Sequence, residues 1–270
     1  MDKTEEFKMY GGNVKLTYND KKHLYTASIK EGKTWSEPKK AFGVTSIVGV
    51  TSKPFLTPWS LNCMRDRLKA DQKEMGWKVF AEDFSKIIER SKGESDIVGK
   101  IARELGTRVH NMAERWQTKG ADHTALMIEM LMTESEDERN SYTAMLKFFN
   151  EHTFEPKFLE KKCFSLKYGY AGTDDYYGKI DDKITVMDYK TSKAIYEEYP
   201  LQVSAYANAL IEEGYPVDQI MIVRLGKDGV LETRIEEDPL KYFEEFLACK
   251  KLYEYKMSIK GRKFGKSNKK

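Results

Sequence analysis

The sequence predicts an α/β (α+β) protein: a mixed central sheet flanked by helices, with an N-terminal β-hairpin and a helical half before it. Three patterns carry this expectation. Apolar and polar residues alternate between Val14 and Ile29, as strands require. From Trp59 to His152 apolar residues recur at helical spacing. From Glu155 the pattern becomes strand, strand, strand, helix, strand, strand, helix.

In order, Val14 to Tyr18 and His23 to Ile29 form the hairpin around Asn-Asp-Lys-Lys. A polar stretch through Trp35 and Pro38 leads to Gly43-Val44-Thr45-Ser46-Ile47-Val48. There Thr45 or Ser46 is a candidate cap for a short helix that Pro54 and Pro58 interrupt. Trp59 to Ala70 and Trp77 to Arg90 are amphipathic. Ser95 to Thr118 is the longest helical signal, with Ile97, Ile101, Leu105, Val109, Met112 and Trp116 as its stripe. His110 lies at the edge of that stripe. Gly106 precedes it by one turn, at a cost of about 1 kcal/mol relative to Ala, and Glu114 follows by one turn on the same face. Ala121 to Thr133 reads as a helix, Glu134 to Arg139 as an acidic connection and Ser141 to His152 as a helix. Glu155 to Ser165 alternates as a strand that places Phe158 and Glu160 on one face. Two more runs, Tyr170 to Tyr177 and Ile184 to Lys190, flank a tight turn at Lys179 to Lys183. Helix Glu197 to Glu213 ends at Gly214 and puts Gln202 and Tyr206 on one face. Ile220 to Leu225 and Val230 to Ile235 pair across Lys-Asp-Gly, and Pro239 opens the last helix, to about Tyr255.

Composition narrows the function classes. The chain has 270 residues, 40% hydrophobic and 12% aromatic, ordinary values for a globular protein. No apolar run approaches the roughly 20 residues that span a membrane. The first residues, Met-Asp-Lys-Thr-Glu-Glu, do not resemble a signal peptide, so a cytoplasmic protein with no membrane partner is expected. Cys63, Cys163 and Cys249 lie far apart, which argues against a disulfide framework, a zinc ribbon or an iron–sulfur cluster. Residues 256–270 hold seven basic side chains, among them Lys260, Arg262 and Lys263, and no acidic ones. Without them the net charge of +3 becomes −4 for the body. The reading is one domain over 1–255, a hairpin and helical part to 95 and a core from 96, then a basic tail suited to phosphate.

The chemistry centres on Gly169 to Lys190. Side chains alternate along a strand, so Asp188 and Lys190 share a face about 7 Å apart, with Tyr189 opposite. Asp174 and Asp175 point to opposite faces, and one of them can approach Asp188 and Lys190 if the two strands pair. Carboxylate oxygens bind Mg²⁺ or Mn²⁺, which acidify water, and a lysine orients or deprotonates that water or stabilises a phosphorane. A hairpin with a solvated charged face is the plainer alternative.

The order of short motifs adds to this. Gly172-Thr173-Asp174-Asp175, Val186-Met187-Asp188-Tyr189-Lys190-Thr191-Ser192 and Gln202-Val203-Ser204-Ala205-Tyr206 resemble the PD-(D/E)XK nucleases, in particular the RecB-type branch. Gly106-Thr107-Arg108-Val109-His110 looks like that branch's helical Gly-x-x-x-His motif, and Val44-Thr45-Ser46-Ile47 is similar to openings in phage-encoded members. The resemblance implies a restriction-endonuclease-like sheet. It makes His110, Asp175 and Asp188 metal ligands, with the Tyr189 backbone carbonyl, and makes Lys190 the catalytic lysine. By the same route Gln202 and Tyr206 support the site and contact DNA. Glu160 resembles an upstream strand glutamate of the family, and Glu114 sits beside the histidine motif.

The implied function is a Mg²⁺- or Mn²⁺-dependent DNA exonuclease, acting on single strands or duplex ends in phage-type recombination, replication or DNA processing. A recombination or replication partner protein would supply any ATP-driven unwinding, since no Gly-x-x-x-x-Gly-Lys-Ser/Thr is present. Monomers and ring assemblies fit the motifs equally. A structure-specific or restriction-like endonuclease and a non-catalytic DNA-binding module on a nuclease fold are the alternatives. Trp59, Trp77, Tyr176 and Tyr177 are candidates for stacking on unpaired bases or for the core.

Overall fold

Ten strands join in one mixed sheet in the computed structural model, which describes residues 4–51 and 56–259. The strands are β1 Thr4–Met9, β2 Val14–Asn19, β3 Leu24–Glu31, β4 Thr34–Trp35, β5 Lys39–Gly43, β6 Phe154–Ser165, β7 Tyr170–Ile180, β8 Lys183–Lys190, β9 Gln219–Leu225 and β10 Leu231–Glu236. The helices are α1 Val44–Val48, α2 Leu56–Glu82, α3 Phe84–Lys92, α4 Glu94–Gln117, α5 His123–Leu131, α6 Glu136–Glu151, α7 Glu198–Glu212 and α8 Phe243–Ile259. The fold is therefore a mixed sheet flanked by helices, the class the period changes predict. The chain divides into two compact units, residues 1–51 with 114–270, and residues 52–113.

In the first unit the strand order is β1-β2-β3-β5-β7-β8-β9-β10, with β6 on the other edge of β7. Most pairs are antiparallel. The β5–β7 and β8–β9 pairs are parallel, and β8 reaches β9 through α7. Helices α1, α7 and α8 cover one face, where Val44, Ile47, Val186, Val203, Ile220, Ile222 and Phe246 share a core. Helix α6 lies on the other face, with Phe148 and Phe149 edge-on to the Tyr189 ring. Both faces of β9 are covered, and all seven of its residues are buried. The N-terminal strands have their own core of Met9, Val14, Leu16, Tyr25 and Ala41 with Phe164 and Ala171.

The second unit contains α2, α3 and the first part of α4. Gly76 breaks α2 with φ 76°, a left-handed value that glycine adopts at little cost. Asp71, 1% exposed, receives Arg67 at 2.6 Å and Arg90 of α3 at 2.5 Å, so a buried carboxylate ties the two helices together.

Several local expectations need correction. The stretch read as polar contains β5, and β1 precedes the hairpin; their Lys- and Glu-rich sequences hide the alternation. Gly43 rather than Thr45 or Ser46 is the α1 N-cap, without a side-chain bond. Pro58 sits in the first turn of α2, where its missing N–H costs nothing, while Pro54 lies outside the described residues. The acidic connection is in fact the start of α6: Ser135 caps it, and Glu136, Asp137 and Glu138 complement the helix dipole. Ile97 and Ile101 are more than half exposed, so the buried stripe of α4 begins at Leu105. Tyr176 and Tyr177 are core residues, 0% and 2% exposed, which removes them as stacking platforms.

The β7–β8 turn is Asp181-Asp182, both at positive φ, the type I′ geometry that suits a two-residue hairpin. Asp181 stabilises it by accepting from the Thr153 N–H at 2.8 Å and pairing with His152. These contacts hold its carboxyl below the usual range, the backbone N–H contributing most. Gly178 faces the register shift of β6 between Pro156 and Phe158. A Cβ there would lie 2.4 Å from the Glu155 carbonyl oxygen and 2.9 Å from the Lys157 nitrogen, both backbone atoms. Gly178→Ala is accordingly expected to destabilise the protein by about 1–3 kcal/mol, read from the urea unfolding midpoint.

Candidate metal centre

The residues of the Gly-x-x-Asp and Asp-x-Lys motifs meet where the sheet forks. Strand β5 pairs with β7 only at Tyr170 and Ala171, and β8 pairs with β7 only from Tyr176 to Ile180. No backbone partner lies on that edge of β7 for Gly172 to Asp175 among the described residues. Asp175 takes over from the ladder: its Oδ2 accepts the Tyr189 backbone N–H at 2.7 Å. A side chain thus joins β7 to β8 where the backbones have separated.

Beside it, Asp188 and Lys190 point to the α7 face. Asp188 is 3% exposed. Lys190 Nζ lies 2.5 Å from Asp188 Oδ2 and donates to Gln202 Oε1 at 3.2 Å. The Gln202 amide donates through Nε2 to Asp188 Oδ1 at 3.1 Å and to the Tyr206 hydroxyl at 2.8 Å. Lys190 also lies over the Tyr199 ring, 4.7 Å from its centroid. Burial pulls the Lys190 ammonium down, but attraction and hydrogen bonding from Asp188 more than offset this, and the net shift is upward. Lys190 is therefore a cation, with one of its three donors left beyond Asp188 and Gln202.

The glycine of Gly-x-x-Asp has a steric role. A Cβ on Gly172 would sit 2.4 Å from Tyr206 Cε1, so the ring of the Gln-x-x-x-Tyr motif packs on bare backbone. Burial raises the Tyr206 phenol well above its ordinary pKa, which keeps it a neutral partner for Gln202. We expect Gly172→Ala to cost about 1–3 kcal/mol, and a Gly172→Ala/Tyr206→Ala double variant to cost less than the sum of the singles, since removal of the ring removes the clash. Urea unfolding of the four proteins in the cycle measures both.

The two neighbouring aspartates differ in environment. Asp174 is fully buried and neither of its oxygens has a hydrogen-bond partner. Burial, then the nearby Asp175 and Glu160 carboxylates, push it up to about 8, with Lys161 opposing. Asp175, on the open edge, is the one aimed at Tyr189. Glu160 departs from the alternation expected of its strand. Its φ is +49°, a left-handed conformation that costs a residue with a Cβ about 1–3 kcal/mol. Its neighbours Leu159 and Lys161 pair with Tyr176 and Asp174, which sets Glu160 opposite Asp175. An oxygen of each carboxylate lies within 4.8 Å of one on the other. Two carboxylates this close repel unless a cation or a proton lies between them. Their oxygen donors suit Mg²⁺ or Mn²⁺.

The remaining expected residues are placed as follows. His110 is half-buried on α4 in the second unit, and Glu114, also half-buried, is the first residue of that helix to belong to the first unit. Tyr189 is buried on the α6 face, where its hydroxyl donates to Gln117 Oε1 at 2.9 Å. Lys260, Arg262 and Lys263 lie outside the described residues. Sequence reading missed Tyr199, whose ring floors Lys190, and Arg224, which is paired in register with Lys190. The Arg224 Nε donates to the Ser192 carbonyl at 2.8 Å just past the motif. An arginine inside an otherwise apolar run, Ile220 to Leu225, was the available signal for the latter.

No protein-family model matches the chain, and no curated protein sequence does. Among solved structures it is similar to SSO0001, at 15% identity and a TM-score of 0.32, over 85% of this chain and 81% of that one.

Proposed function

We propose that this chain is a Mg²⁺- or Mn²⁺-dependent deoxyribonuclease of PD-(D/E)XK type, acting on DNA ends as an exonuclease. The observation that carries the reading is the arrangement at the fork: Asp188, Lys190 and Gln202 closed into one hydrogen-bonded set beside Asp175, which holds the Tyr189 N–H. A half-buried ammonium paired with a buried carboxylate and an amide, at an open sheet edge, suits phosphodiester chemistry better than it suits stability alone.

Asp175 and Asp188 are the proposed ligands, with Glu160 as a further carboxylate donor. An extended residue directs its N–H and C=O to the same edge, so the Tyr189 carbonyl faces Asp175 and joins the donor set. When bound, the metal polarises the scissile phosphate and acidifies a water. Lys190 turns its third N–H toward the reacting centre, where it orients the nucleophile or stabilises the added charge. Gln202 fixes both Lys190 and Asp188, and Tyr206 fixes Gln202. DNA in the cytoplasm, as single strands or duplex ends, is the substrate.

Digestion of matched linear and circular DNA with Mn²⁺ tests the end requirement. Loss of linear DNA with intact circles is the expected result. Cut circles would make the protein an endonuclease, and metal-dependent binding without cleavage of either would leave a DNA-binding module.

A further inference from the structure

On the α6 side of the sheet, a cavity of about 360 Å³ opens beside the end of α4, within the first unit. Its walls are aromatic. Trp116 stacks on His123 with centroids 4.3 Å apart and planes 17° apart, and lies parallel to Phe149 at 6.3 Å, 3° between planes. Phe154 is edge-on to Phe149 and Pro156 closes the rim. The His123 ring is fixed by a hydrogen bond through Nε2 to the Trp116 carbonyl oxygen at 2.9 Å, although the residue is exposed.

Among its polar lining side chains, Gln117, Thr118 and His123, the first has an unused donor. Gln117 accepts the Tyr189 hydroxyl through Oε1, and its Nε2 has no partner. Tyr189 is the residue whose backbone N–H is held by Asp175. A single side chain therefore connects the cavity on one face to the fork at the sheet edge.

We propose that this cavity binds an unpaired nucleobase of the DNA strand. The inference rests on the nuclease reading above and names a base subsite for it. Flat aromatic walls offer a face to any base, which gives stacking without sequence preference. The volume is in the range of small-molecule sites and accommodates one base with part of its sugar. The free Gln117 amide donates to a ring nitrogen or carbonyl of the base. Lys119, exposed and between the lining residues Thr118 and Gly120, supplies positive charge for a flanking phosphate. The alternative occupant, an apolar peptide side chain, would leave the amide unused.

The test is an abasic scan. Fluorescein-labelled (dT)₁₂ and a set with one abasic position each are titrated by anisotropy in EDTA, against wild type, Trp116→Ala and the exposed-ring variant His123→Ala. For wild type, one position is expected to bind about tenfold more weakly when abasic. Both variants should bind intact (dT)₁₂ about as weakly as wild type binds that abasic strand, with the positional penalty abolished. A flat scan for wild type, or a penalty retained in a folded His123→Ala, overturns the base subsite. If the flat scan accompanies hydrolysis of DNA by wild type, the nuclease reading survives without it. If neither binding nor hydrolysis is seen, both fall together.

Discussion

Lys190→Met is expected to lower metal-dependent DNA hydrolysis at least a thousandfold while metal binding is kept and, with Asp188 no longer neutralised, tightened. Removing a single preorganised donor from a charged transition state typically costs a factor of about 10²–10³, and loss of proton-transfer assistance adds to this. The ammonium does a second thing in the folded chain: at 2.5 Å it neutralises Asp188, which is almost fully buried. Methionine keeps the apolar stem against Tyr199 but leaves that carboxylate uncompensated, so the metal-free variant should lose about 3–5 kcal/mol of stability. Added Mn²⁺ should then recover stability in Lys190→Met to a greater degree than in wild type, because a cation that binds only the folded state raises its unfolding temperature. Thermal unfolding with and without Mn²⁺, beside single-turnover cleavage, reads the two effects separately. A purely structural lysine would lose stability but retain cleavage in the surviving folded fraction.

Asp175→Asn carries the second large effect, and it should fall on metal binding. Asparagine retains an oxygen that can accept the Tyr189 N–H, so the join between β7 and β8 survives. It removes one of the two carboxylates that face each other across the strand pair. Metal affinity should drop about 10- to 100-fold, the scale on which even supporting groups act at metal sites, and hydrolysis should fall with it. The change also relieves repulsion on Glu160 and on buried Asp174, so the metal-free variant is expected to be at least as stable as wild type. Isothermal titration with Mn²⁺ and urea unfolding would show these opposite signs. Equal metal affinity in the two proteins would remove Asp175 from the ligand set.

Much of this arrangement was legible in the sequence because it follows from period. Alternation in Ile184 to Lys190 put Asp188 and Lys190 on one face, and the spacing of Gln202 and Tyr206 put them on one side of α7; both placements hold. The fork could not be read this way. It depends on β5 and β8 each stopping short on the same edge of β7, which is a matter of pairing rather than of local pattern. The backbone conformation of Glu160 was hidden for a related reason: period-two alternation assumes extended backbone, and its φ of +49° breaks that assumption. The role of Gly172 was equally hidden, since the atom it makes room for belongs to a residue in another element, Tyr206. Charged strands such as β1 and β5 were missed because few of their side chains reach a core. The aromatic cavity draws Trp116, Phe149 and Phe154 from three elements, and only folding brings them together.

The most direct measurement is cleavage of end-labelled linear DNA, single- and double-stranded, by wild type and Lys190→Met, in Mn²⁺ and in EDTA. The account predicts release of labelled product by wild type in Mn²⁺ alone, with none from Lys190→Met or in EDTA. Product that persists in EDTA, or that Lys190→Met releases at the wild-type rate in Mn²⁺, would contradict it.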